Sequence, residues 1–126
     1  MPEPSKRVLI IDDDVDFSEL LTSMLSKSAV KVHISHYGEE GLQEARRMKP
    51  DLIVLDVMMP GMHGIHALGL LRTWEETAHT PILIATTLPR EDIEVGVAEG
   101  DAEYIDKSVS IQSIANRVKR RLGLPD

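Results

Sequence analysis

Val8-Leu-Ile-Ile-Asp-Asp-Asp14 is a short apolar run that stops abruptly in consecutive carboxylates. The run is too short for a helix, is rich in β-branched side chains and is apolar on both faces that alternate along a strand. It therefore reads as a central strand of a parallel sheet covered on both sides. Leu52 to Leu55 and Ile82 to Ala85 share the pattern. Lys31-Val-His-Ile-Ser-His36 alternates apolar Val32 and Ile34 with polar neighbours, and Glu103-Tyr-Ile105 is short, which suits both to positions nearer a sheet edge.

Helical spacing fills the gaps between these runs. Phe17, Leu20, Leu21, Met24 and Leu25 fall on one stripe, with Asp14 or Asp16 as the cap. A second helix is expected over Glu39 to Met48, ended by Pro50, and a third from about Ile65 to Glu76, before Thr80-Pro81. A fourth, Arg90 to Glu99, contains Gly96 and is expected to be the weakest, since glycine costs about 1 kcal/mol inside a helix. The last puts Ile111, Ile114, Ala115, Val118 and Leu122 on one face, with Ser108 or Ser110 as cap; the basic cluster Arg117, Lys119, Arg120 and Arg121 at its end reads as a solvated face opposing the helix dipole. Strand and helix alternate throughout, which predicts a doubly wound α/β sheet with right-handed crossovers.

The 126 residues, 42% of them apolar and none of them cysteine, suit one domain over 1–126 with a single core and no disulfides, preceded by a short flexible tail over 1–6. No apolar run approaches the roughly 20 residues needed to span a bilayer, and Met1-Pro-Glu-Pro-Ser5 lacks the pattern of a secretory signal, so a soluble, cytoplasmic protein without membrane contact is expected. Fourteen Lys and Arg against 21 Asp and Glu leave a net charge of −7, which opposes direct nucleic-acid binding by this domain.

Ligands of such sheets bind at the carboxyl ends of the strands, near the point where strand order reverses. Polar chemistry collects there: Asp12, Asp13 and Asp14 end the first run, Asp56 the third, Thr86 and Thr87 the fourth, and Lys107 follows the fifth. Any one of these residues is ordinary as a cap or a surface group, but their joint placement is not. Carboxylates converging from neighbouring strands repel by several kcal/mol in a partly shielded cleft, so a cation must compensate. A hard divalent ion such as Mg2+ suits oxygen ligands, and Lys107 adds a fixed positive charge. A carboxylate nucleophile beside a metal ion, a lysine and a hydroxyl is suited to phosphoryl transfer.

Val8-Leu-Ile-Ile-Asp-Asp-Asp14, Pro50-Asp-Leu-Ile-Val-Leu-Asp-Val-Met-Met-Pro-Gly-Met-His-Gly64, Pro81-Ile-Leu-Ile-Ala-Thr86 and Gly100-Asp-Ala-Glu-Tyr-Ile-Asp-Lys107 resemble, in order, the marker segments of the bacterial receiver-domain family of two-component response regulators. The resemblance spans nearly the whole chain. It implies a flavodoxin-like, CheY-like fold with five parallel strands in the order 2-1-3-4-5 and five helices. It makes Asp56 the phosphoacceptor, with Lys107 and Thr86 assisting, and assigns a Mg2+ ion, replaceable by Mn2+, to Asp12 acting mainly through water, Asp13, Asp56 and the backbone carbonyl of Met58. Thr86 and Tyr104 would form the switch, and Pro60, Gly61 and Gly64 would shape the loop after the acceptor. The implied function is a phosphorelay switch rather than an enzyme. Its partners would be a histidine kinase or phosphotransferase and a downstream protein effector, or an effector domain outside this chain, with the domain a monomer or a phosphorylation-dependent dimer.

Two positions and one segment depart from the family's pattern. Ser108 replaces a proline that carries a cis peptide; a non-proline cis bond costs about 2.5 to 4 kcal/mol, so a trans bond and a less firmly held Lys107 are expected. Thr87 stands where the family usually has Ala or Gly, and its bulk is expected to hinder water or a phosphatase and prolong the phosphorylated state. The segment before Gly100 is about a residue short, which leaves the geometry of the fourth helix open.

Other signals are blander. His33, His36, His63, His66 and His79 lack the spacing of a helical zinc site and read as surface groups. Met58, Met59 and Met62 are expected to fill loop space, and Trp74 to sit on a helix face. The competing readings are a receiver-fold interaction scaffold without phosphorylation, a phosphatase with Asp12 as nucleophile, which leaves the segment after Asp56 unexplained, and a flavin-binding module, whose first loop should not be acidic.

Overall fold

The computed structural model describes residues 6–60 and 62–125, and residues 62–64 in their backbone only. In chain order the elements are β1 (Lys6–Ile11), α1 (Val15–Leu25), β2 (Val30–Ser35), α2 (Gly38–Met48), β3 (Leu52–Leu55), β4 (Met58–Met59), β5 (Met62–His63), α3 (Gly64–Thr73), β6 (Ile82–Thr86), α4 (Arg90–Glu99), β7 (Glu103–Asp106) and α5 (Ile111–Arg121). Five strands form one parallel sheet in the order β2-β1-β3-β6-β7. This is the expected 2-1-3-4-5 order, interrupted in chain numbering by the unforeseen antiparallel hairpin β4-β5, in which Met58 pairs with His63 and Met59 with Met62. Residues 1–5 of the expected tail, and Gly61, lie outside the described residues; Lys6 already pairs with Val30 in the sheet.

Alternation along the central strands builds a core on each side. Leu9, Ile11, Ile53, Leu55, Ile82 and Ile84 face α2, α3 and α4, packing on Leu42, Ala45, Leu68, Leu71, Ile93 and Val97. Val8, Ile10, Leu52, Val54, Leu83 and Ala85 face the other way, onto Phe17, Leu21 and Leu25 of α1 and Ile114, Ala115 and Val118 of α5. Each buried Leu or Ile contributes roughly 1.5–3 kcal/mol over exposure, so strand register is strongly held. With right-handed crossovers, the step from β1 to β2 runs opposite to the later steps, which puts α1 across the sheet from α2 to α4. The reversal falls between β1 and β3.

Helix ends follow their local chemistry. Asp14 caps α1 by accepting from Phe17 N at 3.0 Å, and Ser110 caps α5 by accepting from Ser113 N at 3.1 Å. Lys49 closes α2 in the left-handed conformation, at φ 47°. The third helix stops at Thr73, short of the expected Glu76. There Thr73 and Thr77 hydroxyls take the carbonyls of Leu70 and Leu71 at 2.8 and 2.6 Å, and Arg72 draws the following loop onto itself by donating to Gly100, Thr77, Ala78, Thr80 and Asp101 carbonyls at 2.7 to 3.2 Å. Burial pushes the Arg72 guanidinium below its ordinary value, with the Asp101 carboxylate pulling it back. Trp74 falls just beyond the helix rather than on its face, with the Arg46 guanidinium 4.6 Å from its ring centre.

Charge is sorted by pole. Every lysine and arginine except Arg90 and Lys107 lies at the start of a strand, in the last two turns of a helix, or in a loop between, a pole shared by Asp51, Glu75, Glu76, Glu99, Asp101 and Glu103, whereas Asp12, Asp13, Asp14, Asp16, Glu39, Glu40, Asp56, Glu91 and Asp92 crowd the opposite pole. The basic cluster of α5 is less solvated than expected: Lys119 is buried, and Arg117 and Arg121 both bind Glu103, at 3.0 and 2.7 Å.

α4 is a regular helix up to Glu99, and the irregularity falls after it, where Asp101 takes φ 51°. Gly96 and Gly100 let α4 lie close on α3: a Cβ at 96 would stand 2.5 Å from Ile65 Cγ2, and one at 100 would stand 2.3 Å from Leu68 Cδ2. Alanine is the better helix former, but that overlap outweighs its advantage. Gly96→Ala is expected to cost about 1 kcal/mol, read as a melting point lower by about 4 °C; an unchanged or raised melting point would contradict the close approach.

Candidate functional site

The reversal between β1 and β3 leaves a crevice at the carboxyl ends of the strands, and the residue after each strand stands at its edge. The sheet ladder carries Asp12 and Asp56 to neighbouring positions: Asp12 N donates to Ser35 O and Asp56 N to Ile11 O, both at 3.0 Å. Carboxylate oxygens of Asp12, Asp13 and Asp56 all lie within 4.8 Å of one another. Asp12 and Asp56 are buried, at 1% and 5% exposure, while Asp13 faces solvent.

Lys107 enters from beyond β7. Its backbone N–H donates to Thr86 O at 2.8 Å, and its Nζ stands 2.8 Å from Asp12 Oδ2, 3.1 Å from Asp56 Oδ2 and 3.6 Å from Asp14 Oδ2. The ammonium also lies 4.5 Å from the centre of the Phe17 ring, a favourable cation–π arrangement. Burial works against the charged lysine, but Asp12 and Asp56 more than offset it, so its pKa is raised. Burial is the main reason the Asp12 carboxyl is pushed up to about 6; the Asp56 charge adds to it, while Lys107 and the Asp14 N–H, at 2.9 Å from Oδ1, oppose it. The remaining Asp56 oxygen, Oδ1, accepts from Met58 N at 2.9 Å.

Thr86 is fully buried at the end of β6, and its hydroxyl accepts from Leu88 N at 3.3 Å. The carbonyl of the same Leu88 accepts from the Tyr104 hydroxyl at 2.8 Å, and the Arg90 guanidinium covers the Tyr104 ring at 4.9 Å. Burial raises the pKa of that phenol. Thr87 is exposed, with its hydroxyl 3.6 Å from Met58 Sδ.

The model of the family described as response regulator receiver domain matches residues 8–119. The chain belongs to that family. The receiver domain is 34% identical over 118 residues to protein PilH of Pseudomonas aeruginosa, covering 93% of this chain and 98% of that one. It is 32% identical over 122 residues to the DNA-binding response regulator MtrA of Mycobacterium tuberculosis, covering 96% of this chain but 52% of MtrA. It is 37% identical over 116 residues to the alkaline phosphatase synthesis transcriptional regulatory protein PhoP of Bacillus subtilis, covering 91% and 48%. The chain thus spans nearly all of PilH and about half of MtrA and PhoP. Among solved structures, the Francisella response regulator 1452 receiver domain superposes with a TM-score of 0.82 at 28% identity, covering 94% of this chain and 98% of that one. Chemotaxis response regulator CheY4 of Vibrio cholerae superposes with a TM-score of 0.84 at 24% identity, covering 93% and 98%, and shows the shared fold.

In this receiver domain the expected residues Asp12, Asp13, Asp56 and Lys107 come together, and Thr86 and Tyr104 are joined through the backbone of one residue, Leu88. Lys107 is not loose, contrary to the expectation drawn from Ser108. No peptide bond among the described residues is cis, and Asp106 Oδ1 accepts from both Ser108 N at 2.9 Å and Ser108 Oγ at 2.7 Å, closing a tight turn. Met58 does not fill loop space but is about half exposed at the mouth of the site, whereas Met59 is buried; the side chain of Met62 lies outside the described set. His33 reaches Glu44 at 3.5 Å, and the side chain of His63 lies outside the described set. His36, expected on the surface, is half-buried with Nδ1 2.9 Å from the Asp12 carbonyl. No helix among the described residues is long and apolar enough to cross a membrane.

The donor set fits a hard divalent cation. Asp12 Oδ2 is buried, and the ion pair with Lys107 at 2.8 Å is its one partner among the described residues, which leaves it oxygen capacity toward a cation. Because folding raises the Asp12 pKa from 3.8 to about 6, the folded state holds a proton more tightly than the unfolded chain. The stability this supplies is present below the lower value and lost as pH rises through the upper. In chelator, the melting point is expected to rise as pH falls from about 7 to about 5, and Asp12→Asn to flatten that rise. Parallel profiles for the two proteins would show that Asp12 does not titrate there.

Proposed function

We propose that the domain is a phosphorylation-dependent switch whose acceptor is Asp56. The observation that carries this reading is the pair of buried carboxylates, Asp12 and Asp56, facing one lysine ammonium, with the exposed Asp13 carboxylate within 4.8 Å of both. Asp12, Asp13, Asp56 and the Met58 carbonyl would hold Mg2+ or Mn2+. Bound there, the ion supplies charge neutralisation for the transferred group's oxygens. Asp56 attacks the phosphorus of a phosphohistidine on a histidine kinase or phosphotransferase, its P–O bond forming as the donor's P–N bond breaks. Lys107 stands 3.1 Å from the acceptor, ready to pair with the incoming charge.

Switching follows from one residue, Leu88, bonded at both its N–H and its carbonyl. A phosphoryl group adds about −1.5 to −2 charge and three acceptor oxygens. If the Thr86 hydroxyl turns to it, Leu88 N loses its acceptor and the Leu88 carbonyl that holds Tyr104 moves with it. The surface of α4, β7 and α5 then has two arrangements, and a downstream protein binds one of them. A net charge of −7 favours a protein partner over nucleic acid, and any DNA output would reside in a domain outside this chain.

Incubation with Mg2+ and a small acyl-phosphate donor is expected to add one labile phosphoryl group by intact mass, and none to Asp56→Asn. No mass change would favour an interaction scaffold, and continuous phosphate release a phosphatase. Thr87 and Met58 meet at the mouth of the site, so Thr87→Ala is expected to shorten the phosphorylated half-life about threefold, equivalent to about 0.7 kcal/mol of barrier. An unchanged half-life would remove Thr87 from that role.

A further inference from the structure

Asp13 is the one carboxylate of the cluster with no cationic partner among the described residues: the contacts of Lys107 go to Asp12, Asp14 and Asp56. Its neighbours Asp12 and Asp56 repel it, and its exposure leaves it free to swing away. What keeps it in the cluster must therefore act on its backbone.

That backbone is held from β2. The β1–β2 ladder ends at the pair Ile11 and Ser35, where Asp12 N donates to Ser35 O at 3.0 Å. In a continuing parallel ladder, the Asp12 carbonyl would accept from the N–H two residues beyond Ser35. The chain instead turns away towards α2 at Gly38, and the imidazole of His36 takes that place, with Nδ1 2.9 Å from Asp12 O. A carbonyl only accepts, so Nδ1 carries the hydrogen. The bonded carbonyl belongs to the peptide that joins Asp12 to Asp13. Asp14 N, in the next peptide, donates to Asp12 Oδ1, so the backbone of Asp13 is tied on both sides. His36 and Asp13 also line one cavity of about 500 Å³, beside the acidic cluster.

We propose that His36 is a positioning residue for divalent-cation binding: its Nδ1–H clamps the Asp12–Asp13 peptide and so keeps the Asp13 carboxylate among the ligands. The inference rests on the metal-dependent reading above. Groups that orient metal ligands typically contribute 10–100-fold in affinity, so His36→Ala is expected to weaken Mg2+ binding roughly tenfold by calorimetric titration. His36→Asn places an amide donor near the position of Nδ1 and is expected to restore affinity to within about threefold of the parent, roughly 0.7 kcal/mol. Melting points in chelator report any loss of folding separately, and nitrogen NMR of the metal-free parent is expected to show His36 with hydrogen on Nδ1. Equal Mg2+ affinity in the parent and His36→Ala, failure of His36→Asn to recover it, or hydrogen on Nε2 alone would each overturn the role of His36 and leave the metal reading standing. A parent chain that binds no Mg2+ would overturn both.

Discussion

Two carboxylates shut away from solvent face a third at the surface, and the ammonium of Lys107 is the charge the fold sets among them. Within 4.8 Å of one another in a partly shielded crevice, like charges repel, so β1 and β3 tolerate their acidic ends because the lysine is present. It comes from far away in the sheet. β7 is separated from β3 by β6, so the aliphatic stem of Lys107 must reach past the end of β6 before its head meets Asp56 and Asp12. Its backbone tie to Thr86 and its seat on the Phe17 ring hold that reach in place. The elements whose residues make these contacts, α1, β1, β3, β6 and the β7–α5 turn, thus meet at one point.

The parts of the fold readable in the chain were those governed by pattern. β1, β3 and β6 are apolar on both alternating faces and could be nothing but covered strands, and Asp14 and Ser110 sit where a helix start needs an oxygen. The acids and the lysine were readable because they close strands, and strand order brings strand ends together. Contacts between distant residues carry no such pattern. The early end of α3 depends on Arg72 gathering carbonyls from two loops, and the hairpin β4-β5 is too short for any periodicity. His36 looked like a surface group because its partner is a backbone carbonyl 24 residues away. The missing proline at Ser108 is visible in the sequence, but the turn that the Ser108 hydroxyl and amide make with Asp106 has no pattern to announce it.

The fold is unevenly braced around the site. The β1–β2 ladder and its extension to Asp12 make one side rigid, whereas α4 meets α3 through glycines and its leading loop hangs on single hydrogen bonds to Thr86 and Tyr104. In the proposed switch the ligand side is rigid, and the loop leading into α4 is the segment that a small energy would move.

The sorting of charge between the two poles gives the molecule an electric dipole on top of its negative net charge. A partner with a basic face would feel a torque while still a Debye length or so away, about 8 Å in physiological salt, and would be turned toward the acidic end before touching it. Encounter would then be productive from more starting orientations at low ionic strength than at high, and the geometry of approach would be decided in solution rather than at the contact itself.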